Sequence, residues 1–288
     1  MRALLHSTRV TLEMIKWEHS IFALPFAMTG AVLAARGVPS LRTVLLIVVC
    51  MVSARSAAMA FNRLVDADLD AENPRTASRA IPAGMLTKRF TAVFTVASCA
   101  VFVLGAAALN RMTLLLSPVA LVVVLGYSYM KRITRWSHVV LGVALGIAPS
   151  AAWIAVQGSL DKRITVLTAA VLLWVGGFDV LYACQDFEHD RKAGLNSIPQ
   201  SFGLRGAFWI ARAMHLGMLA LLMWMVPLFG LSTISAVGIG LVAMLLLYEH
   251  SIIAPDDLRR MNAAFFLLNG IISVVYFVFI AADILLRG

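Results

Sequence analysis

What most constrains this chain is a near-unbroken series of apolar runs, each about as long as a helix must be to cross a hydrocarbon layer, roughly 20 residues. Nine runs are placed at 20–36, 42–65, 90–109, 112–130, 138–157, 164–186, 206–229, 231–250 and 262–286. In lipid, a helix satisfies every backbone hydrogen bond within its own segment. Most connections are short, and 109–112 and 228–231 read as tight turns. With 61% hydrophobic and only 14% charged residues, against about 25% charged in soluble domains, a soluble globular domain and a disordered chain are both excluded. The expectation is an all-α polytopic membrane protein of about nine transmembrane helices around a central cavity. No stretch is long enough for a separate soluble unit, so residues 1–288 read as one domain. Residues 1–19 hold Arg2, Arg9, Glu13, Lys16 and Glu18 and lack a signal-peptide pattern, so the first run is expected to remain as a helix.

Two connections are longer, 66–89 and 187–205, and both follow even-numbered helices. They therefore lie on the same side of the membrane, as short cap loops or helices after helices 2 and 6. Seventeen of the 24 Lys and Arg fall on that side, six on the other, and Arg55 lies within helix 2. The positive-inside rule then places the N-terminus and both caps in the cytoplasm. The same rule, with anionic headgroups, accounts for the net charge of +9, so no nucleic-acid partner is expected. Cys50, Cys99 and Cys184 fall in apolar segments and read as small core residues.

The chemistry concentrates at the two caps. Asn62, Asp66 and Asp70 recur at i, i+4 and i+8 at the end of helix 2, and Tyr182, Asp186 and Asp190 repeat that spacing at the end of helix 6. Side chains four apart share a helix face, and like charges there repel. A hard divalent cation removes the conflict, since Mg²⁺ takes one or two carboxylates together with phosphate oxygens. Two such pairs suit two Mg²⁺ ions around one diphosphate. Asp68, Glu72 and Glu188 read as solvated loop acids.

Basic and aromatic groups complete a diphosphate site on the same side: Lys16, Arg63, and Tyr127 with Lys131 and Arg132 at the end of helix 4. Arg55 precedes Asn62 by seven residues, about 10 Å deeper at 1.5 Å per residue. A charge at such depth faces the protein interior, so Arg55 is expected to line the cavity below the diphosphate. Asp179, one to two turns before Asp186, should face the same space. Trp17, Trp136, Trp153, Trp209 and Trp224 read as interfacial residues, His215 as a satisfied interior histidine, and Asp256-Asp257 beside Arg259-Arg260 as a solvated turn.

At these residues the sequence resembles the UbiA superfamily of intramembrane aromatic prenyltransferases. Its first motif is similar to Asn62, Asp66 and Asp70, and its second to Asp179, Tyr182, Asp186 and Asp190. The continuation Asn73-Pro-Arg75-Thr-Ala-Ser-Arg79 and the segment 127–134 are similar too, so the resemblance covers essentially the whole chain. The opening segment, Met14-Ile-Lys16-Trp-Glu18-His19, resembles a bacterial subgroup of 4-hydroxybenzoate polyprenyltransferase type. Some members of that subgroup prenylate a dihydroxynaphthoate for menaquinone.

The resemblance implies Mg²⁺-dependent transfer from a polyprenyl diphosphate to an aromatic hydroxy acid in quinone synthesis, at the bacterial inner membrane and in contact with lipid. Asp66, Asp70, Asp186 and Asp190 would hold the metal. Lys131, Arg132 and Lys16 would meet the diphosphate, and Arg55 the acceptor's carboxylate. Asp179 or Asp186 would assist phenol deprotonation. The competing class is a transporter, to which Gly176-Gly177 and Pro149 contribute as expected breaks in helices 6 and 5.

Overall fold

The computed structural model describes residues 10–15 and 20–287. Lys16 and Trp17 lie outside the described residues. Among the described residues, eight helices are long and apolar enough to cross a membrane, and a shorter apolar helix precedes them. In chain order the long helices are α1 (Ser20–Ala35), α2 (Leu41–Val65), α3 (Lys88–Leu109), α4 (Arg111–Gly126), α5 (Ser137–Gln157), α6 (Ile164–Ala183), α7 (Ile198–Phe229), α8 (Thr233–Ile252) and α9 (Asn269–Arg287). Each packs on its chain neighbour, and α9 returns to α1, closing a ring. The chain is thus an all-helical, multi-pass membrane protein.

Local chemistry explains where these helices begin and end. Ser40, Thr87 and Ser197 each accept the backbone N–H three residues on, and Asn110 forms a reciprocal capping box with Thr113. Such caps satisfy donors that a helix start leaves bare. The tight turn at Gly230 uses the left-handed region, with φ of 62°. At the start of α8, Asp283 of α9 accepts from the backbone N–H groups of Ser232 and Ser235. A carboxylate from another helix thereby meets the positive end of α8.

The outer surface suits lipid. Val96, Leu104 and Val122 are 69%, 69% and 72% exposed, while the interior is filled by Phe26, Trp174, Met218, Leu222 and Tyr276. Trp136, Trp209 and Trp224 are exposed, as expected of interfacial residues, but Trp153 is 7% exposed. It packs into the core against Phe229, at 5.9 Å between ring centroids. Nearness to a helix end misplaced it, because the last residue of α7, Phe229, packs against its ring. Among the three cysteines, all free, Cys184 is buried, but Cys50 and Cys99 are only half-buried.

Two expected breaks are not breaks. Both α5 and α6 run through Pro149 and Gly176-Gly177. Small residues serve close approach here instead. A Cβ on Gly30 would sit 2.3 Å from the Pro149 carbonyl oxygen, so glycine lets α1 meet α5 backbone to backbone. A Cβ on Gly177 would sit 2.5 Å from the His215 ring. That ring is satisfied as expected, 3.0 Å from His250 and 3.3 Å from the Trp174 carbonyl. The true interruptions lie at the caps. Asp66 leaves helical geometry between α2 and a short helix, Ala67–Glu72. A 3₁₀ turn, Cys184–Asp186, separates α6 from Phe187–Ala193. Tyr127–Tyr129 likewise ends α4 before Met130–Ile133. The helix of α7 starts at Ile198 rather than 206, with a kink at Gly203.

Candidate active site

The ends of α2, α4 and α6 and both caps surround one cavity of about 1070 Å³. Its wall carries Asn62, Asp66, Asp70, Tyr127, Lys131, Tyr182, Asp186 and Asp190, with Arg55 and Asp179 along the same space. Further polar groups, among them Arg75, Arg79 and His138, share the wall, and an apolar stretch includes Ile47, Met51, Phe102, Leu116, Val123 and Leu145. A polar end and an apolar trough in one cavity suit an amphiphile with an anionic head.

Three of the expected ligand carboxylates, Asp66, Asp70 and Asp186, each meet a basic group. The carboxylate of Asp66 accepts from Lys131 Nζ at 2.7 Å, Arg132 Nη2 at 3.0 Å and Asn62 Nδ2 at 3.1 Å. That of Asp70 accepts from Arg79 Nη1 at 2.6 Å, with Arg63 at 3.8 Å. Arg75 grips Asp186 with Nε at 2.7 Å and Nη2 at 2.5 Å, and Asn73 Nδ2 adds a third donor at 3.2 Å. A forked guanidinium of this kind holds a carboxylate in a fixed plane. Burial works most strongly against the charge on Arg75, but the hydrogen bonds and charge of Asp186 and Tyr182 together outweigh it and raise the guanidinium's pKa. Arg75 also lies over the Tyr182 ring, 5.6 Å from its centroid. The first cap thus crosses the cavity mouth to the second. Asp190 is positioned by its own backbone, where its carbonyl accepts the N–H of Gly194 and of Leu195. Asp68, Glu72 and Glu188 are exposed, as expected.

Several placements differ from expectation in detail. Arg132 is not on the cavity wall; it grips Asp66 from behind and bonds the carbonyls of Val65 and Ser128. The spaced carboxylates do not face one another unrelieved, because basic residues from other segments intervene. Arg75, Arg79, Asn73 and His138 were not assigned to the site from residue spacing. The first three sit in the loop 66–89, where a basic residue reads equally well as a positive-inside anchor. Their i, i+4 spacing at Arg75 and Arg79 was the available signal. His138 Nδ1 lies 2.7 Å from Asp179 Oδ2, a contact between α5 and α6 that no local pattern announces.

The donor set suits a hard cation completed by a ligand. Among the described residues no three His, Cys, Asp or Glu side chains form a ready-made metal cluster. Asp70 Oδ2, however, is buried without a hydrogen-bond partner, an acceptor oxygen left for a cation. Mg²⁺ takes few protein carboxylates and draws its other ligands from water and phosphate. Arg55 has a complementary vacancy, since its Nε is buried with no hydrogen-bond partner.

Comparison with known proteins gives this arrangement a family. The model of the UbiA prenyltransferase family matches residues 23–271. Among relatives, a 4-hydroxybenzoate octaprenyltransferase from Serratia proteamaculans is 32% identical over 86% of this chain and 85% of its own. One from Tolumonas auensis is 34% identical over 85% of each. Among solved structures, the apo form of a UbiA homologue from Aeropyrum pernix is 35% identical, with TM-score 0.84 over 93% of this chain and 98% of that one. A UbiA homologue from Archaeoglobus fulgidus, bound to DMAPP and Mg²⁺, shares the fold at 19% identity and TM-score 0.75, over 95% and 98%. The two acidic caps, the shared cavity and a match across most of the chain converge: this protein belongs to the UbiA prenyltransferase family and is a membrane-embedded prenyltransferase.

Proposed function

We propose that this chain transfers a polyprenyl group from its diphosphate to 4-hydroxybenzoate, ortho to the hydroxyl, with the whole chain acting as one unit. The observation that carries the reading is the meeting of both acidic caps over one cavity whose deeper wall is apolar. The names of the relatives, 4-hydroxybenzoate octaprenyltransferase, support the acceptor and a long donor chain. The distribution of Lys and Arg supports an inner-membrane protein with the N-terminus and caps in the cytoplasm.

In this reading Asp66, Asp70, Asp186 and Asp190 would hold two Mg²⁺ ions. When bound, the metal supplies Lewis-acid stabilisation of the departing diphosphate. Lys131, Arg75 and Arg79, which now neutralise these carboxylates, stand where negative charge develops on the leaving oxygens. The allylic C–O bond breaks with its electron pair leaving on the diphosphate. The ring carbon ortho to the hydroxyl gives a pair to the allylic carbon, and the displaced proton passes to a base. Arg55 directs the acceptor by its carboxylate from deeper in the cavity. Between Asp179 and Asp186, the geometry favours Asp179 as base, because Asp186 is clamped by Arg75 and Asn73 while Asp179 faces a histidine. Tyr127 and Tyr182 line the space between these groups. The cap loops keep water from the cation, and the prenyl tail follows the apolar trough toward lipid.

Membranes containing the protein, supplied with Mg²⁺ and a long prenyl diphosphate, are offered 4-hydroxybenzoate and 1,4-dihydroxy-6-naphthoate in parallel. Prenylated 4-hydroxybenzoate is the expected product. Product from the naphthoate alone would retain the prenyl transfer and overturn the acceptor, placing the chain in menaquinone synthesis.

A further inference from the structure

The His138 ring is 5% exposed and bonded at both nitrogens. Nδ1 lies 2.7 Å from Asp179 Oδ2, and Nε2 accepts the backbone N–H of Ile198 at 3.3 Å. An acceptor carries no proton, so the second contact fixes the tautomer: Nδ1 bears the hydrogen and donates it to Asp179. A ring protonated at both nitrogens would point a donor at the Ile198 donor. Ile198 opens α7, after the four-residue loop that follows the short helix Phe187–Ala193 carrying Asp190. That loop is also pinned nearby, where the Asn196 N–H donates to the Lys131 carbonyl at 2.8 Å. One side chain therefore joins an acid on the cavity wall to the end of the second cap.

We infer that His138 is a positioning residue: it aims Asp179 at the acceptor and makes that aim depend on the seating of the second cap. This rests on the proposed prenyl transfer, with Asp179 as its base. The hydrogen bond occupies one carboxylate oxygen and leaves the other for the acceptor. If the cap lifts, Nε2 loses its donor, the tautomer is no longer held, and the acid loses its fixed orientation. The acceptor's proton then has a well-placed destination only when the site is covered.

The test is kinetic, on purified protein in lipid vesicles with Mg²⁺, a prenyl diphosphate and the acceptor that the wild type uses. His138→Leu removes both bonds and is expected to lower kcat by about a hundredfold, the lower end of what a positioned general base contributes. Affinity for the prenyl diphosphate should be unchanged. His138→Gln offers one donor and one acceptor and is expected to recover most of the loss. In an Asp179→Asn background, His138→Leu should cost nothing further, because residues that act through one another are not additive. That comparison holds even if the single variant is less stable. Equal losses in His138→Leu and His138→Gln, or a full further loss in the double variant, would overturn the inference and leave a packing role. A wild type that prenylates no acceptor would overturn the underlying reading instead.

Discussion

Replacing Asp66 by asparagine should lower turnover about a thousandfold while leaving the protein folded. Removal of one fixed electrostatic partner from a developing charge typically costs 10²–10³, and Asp66 is placed to act twice. It is a proposed metal ligand, and it also gathers Lys131, Arg132 and Asn62 around a single carboxylate. Asparagine preserves the shape and one acceptor oxygen but not the charge. Lys131 and Arg132 are each about one-third exposed, so they can turn to water, and the cost to folding is small. Asp186→Asn should behave alike, releasing Arg75 at the opposite cap. Product formation at saturating substrate, with the thermal midpoint in detergent as the folding control, checks both. Near-normal activity in the two variants would remove the carboxylate pairs from the mechanism.

Changing Arg55 to leucine should raise KM for a carboxylated acceptor by about a hundredfold, with KM for the prenyl diphosphate unchanged. The physical ground is the orphaned Nε, buried in the bilayer-spanning part of α2 with no partner. A buried donor left without an acceptor typically costs about 1–3 kcal/mol, which an acceptor's carboxylate at Nε would relieve. In the proposed reaction Arg55 meets the acceptor's carboxylate, deeper in the cavity than the carboxylates proposed to hold the diphosphate's metal. A phenolic acceptor lacking the carboxylate supplies the control. It should be poor with wild type and lose little more with Arg55→Leu. Equal losses on both acceptors would give Arg55 a structural role.

Much of this was legible because lipid narrows the choices. Apolar run length indicated the helix series, and the starts expected at 42, 90 and 112 lie within two residues of Leu41, Lys88 and Arg111. The acidic repeats located the site because no folding requirement produces carboxylates at i, i+4 twice in equivalent places. The misreadings share one cause, which is that local sequence does not report the partner across the interface. Gly176, Gly177 and Pro149 suggest broken helices until the packing against His215 and Gly30 is seen. Trp153 suggests an interface until Phe229 at the end of α7 packs against it. His138 is an isolated residue in a tryptophan-serine context until Asp179 and Ile198 meet it from two other helices. Arg75 and Arg79 resemble membrane anchors until the first cap folds across the second. Arg132 has the right charge in the right segment, yet it supports Asp66 from outside the cavity.

The central claim is that these two caps together hold a divalent cation and a prenyl diphosphate for transfer to an aromatic ring. The most direct measurement is the mass of the aromatic product made by purified protein in vesicles, first with Mg²⁺, then with EDTA, then with Mg²⁺ restored in excess. The account expects the acceptor to gain one prenyl group, the product to vanish on chelation, and full activity to return with the metal. Prenylation that persists in EDTA, or a donor that leaves the acceptor unchanged under all three conditions, would contradict it.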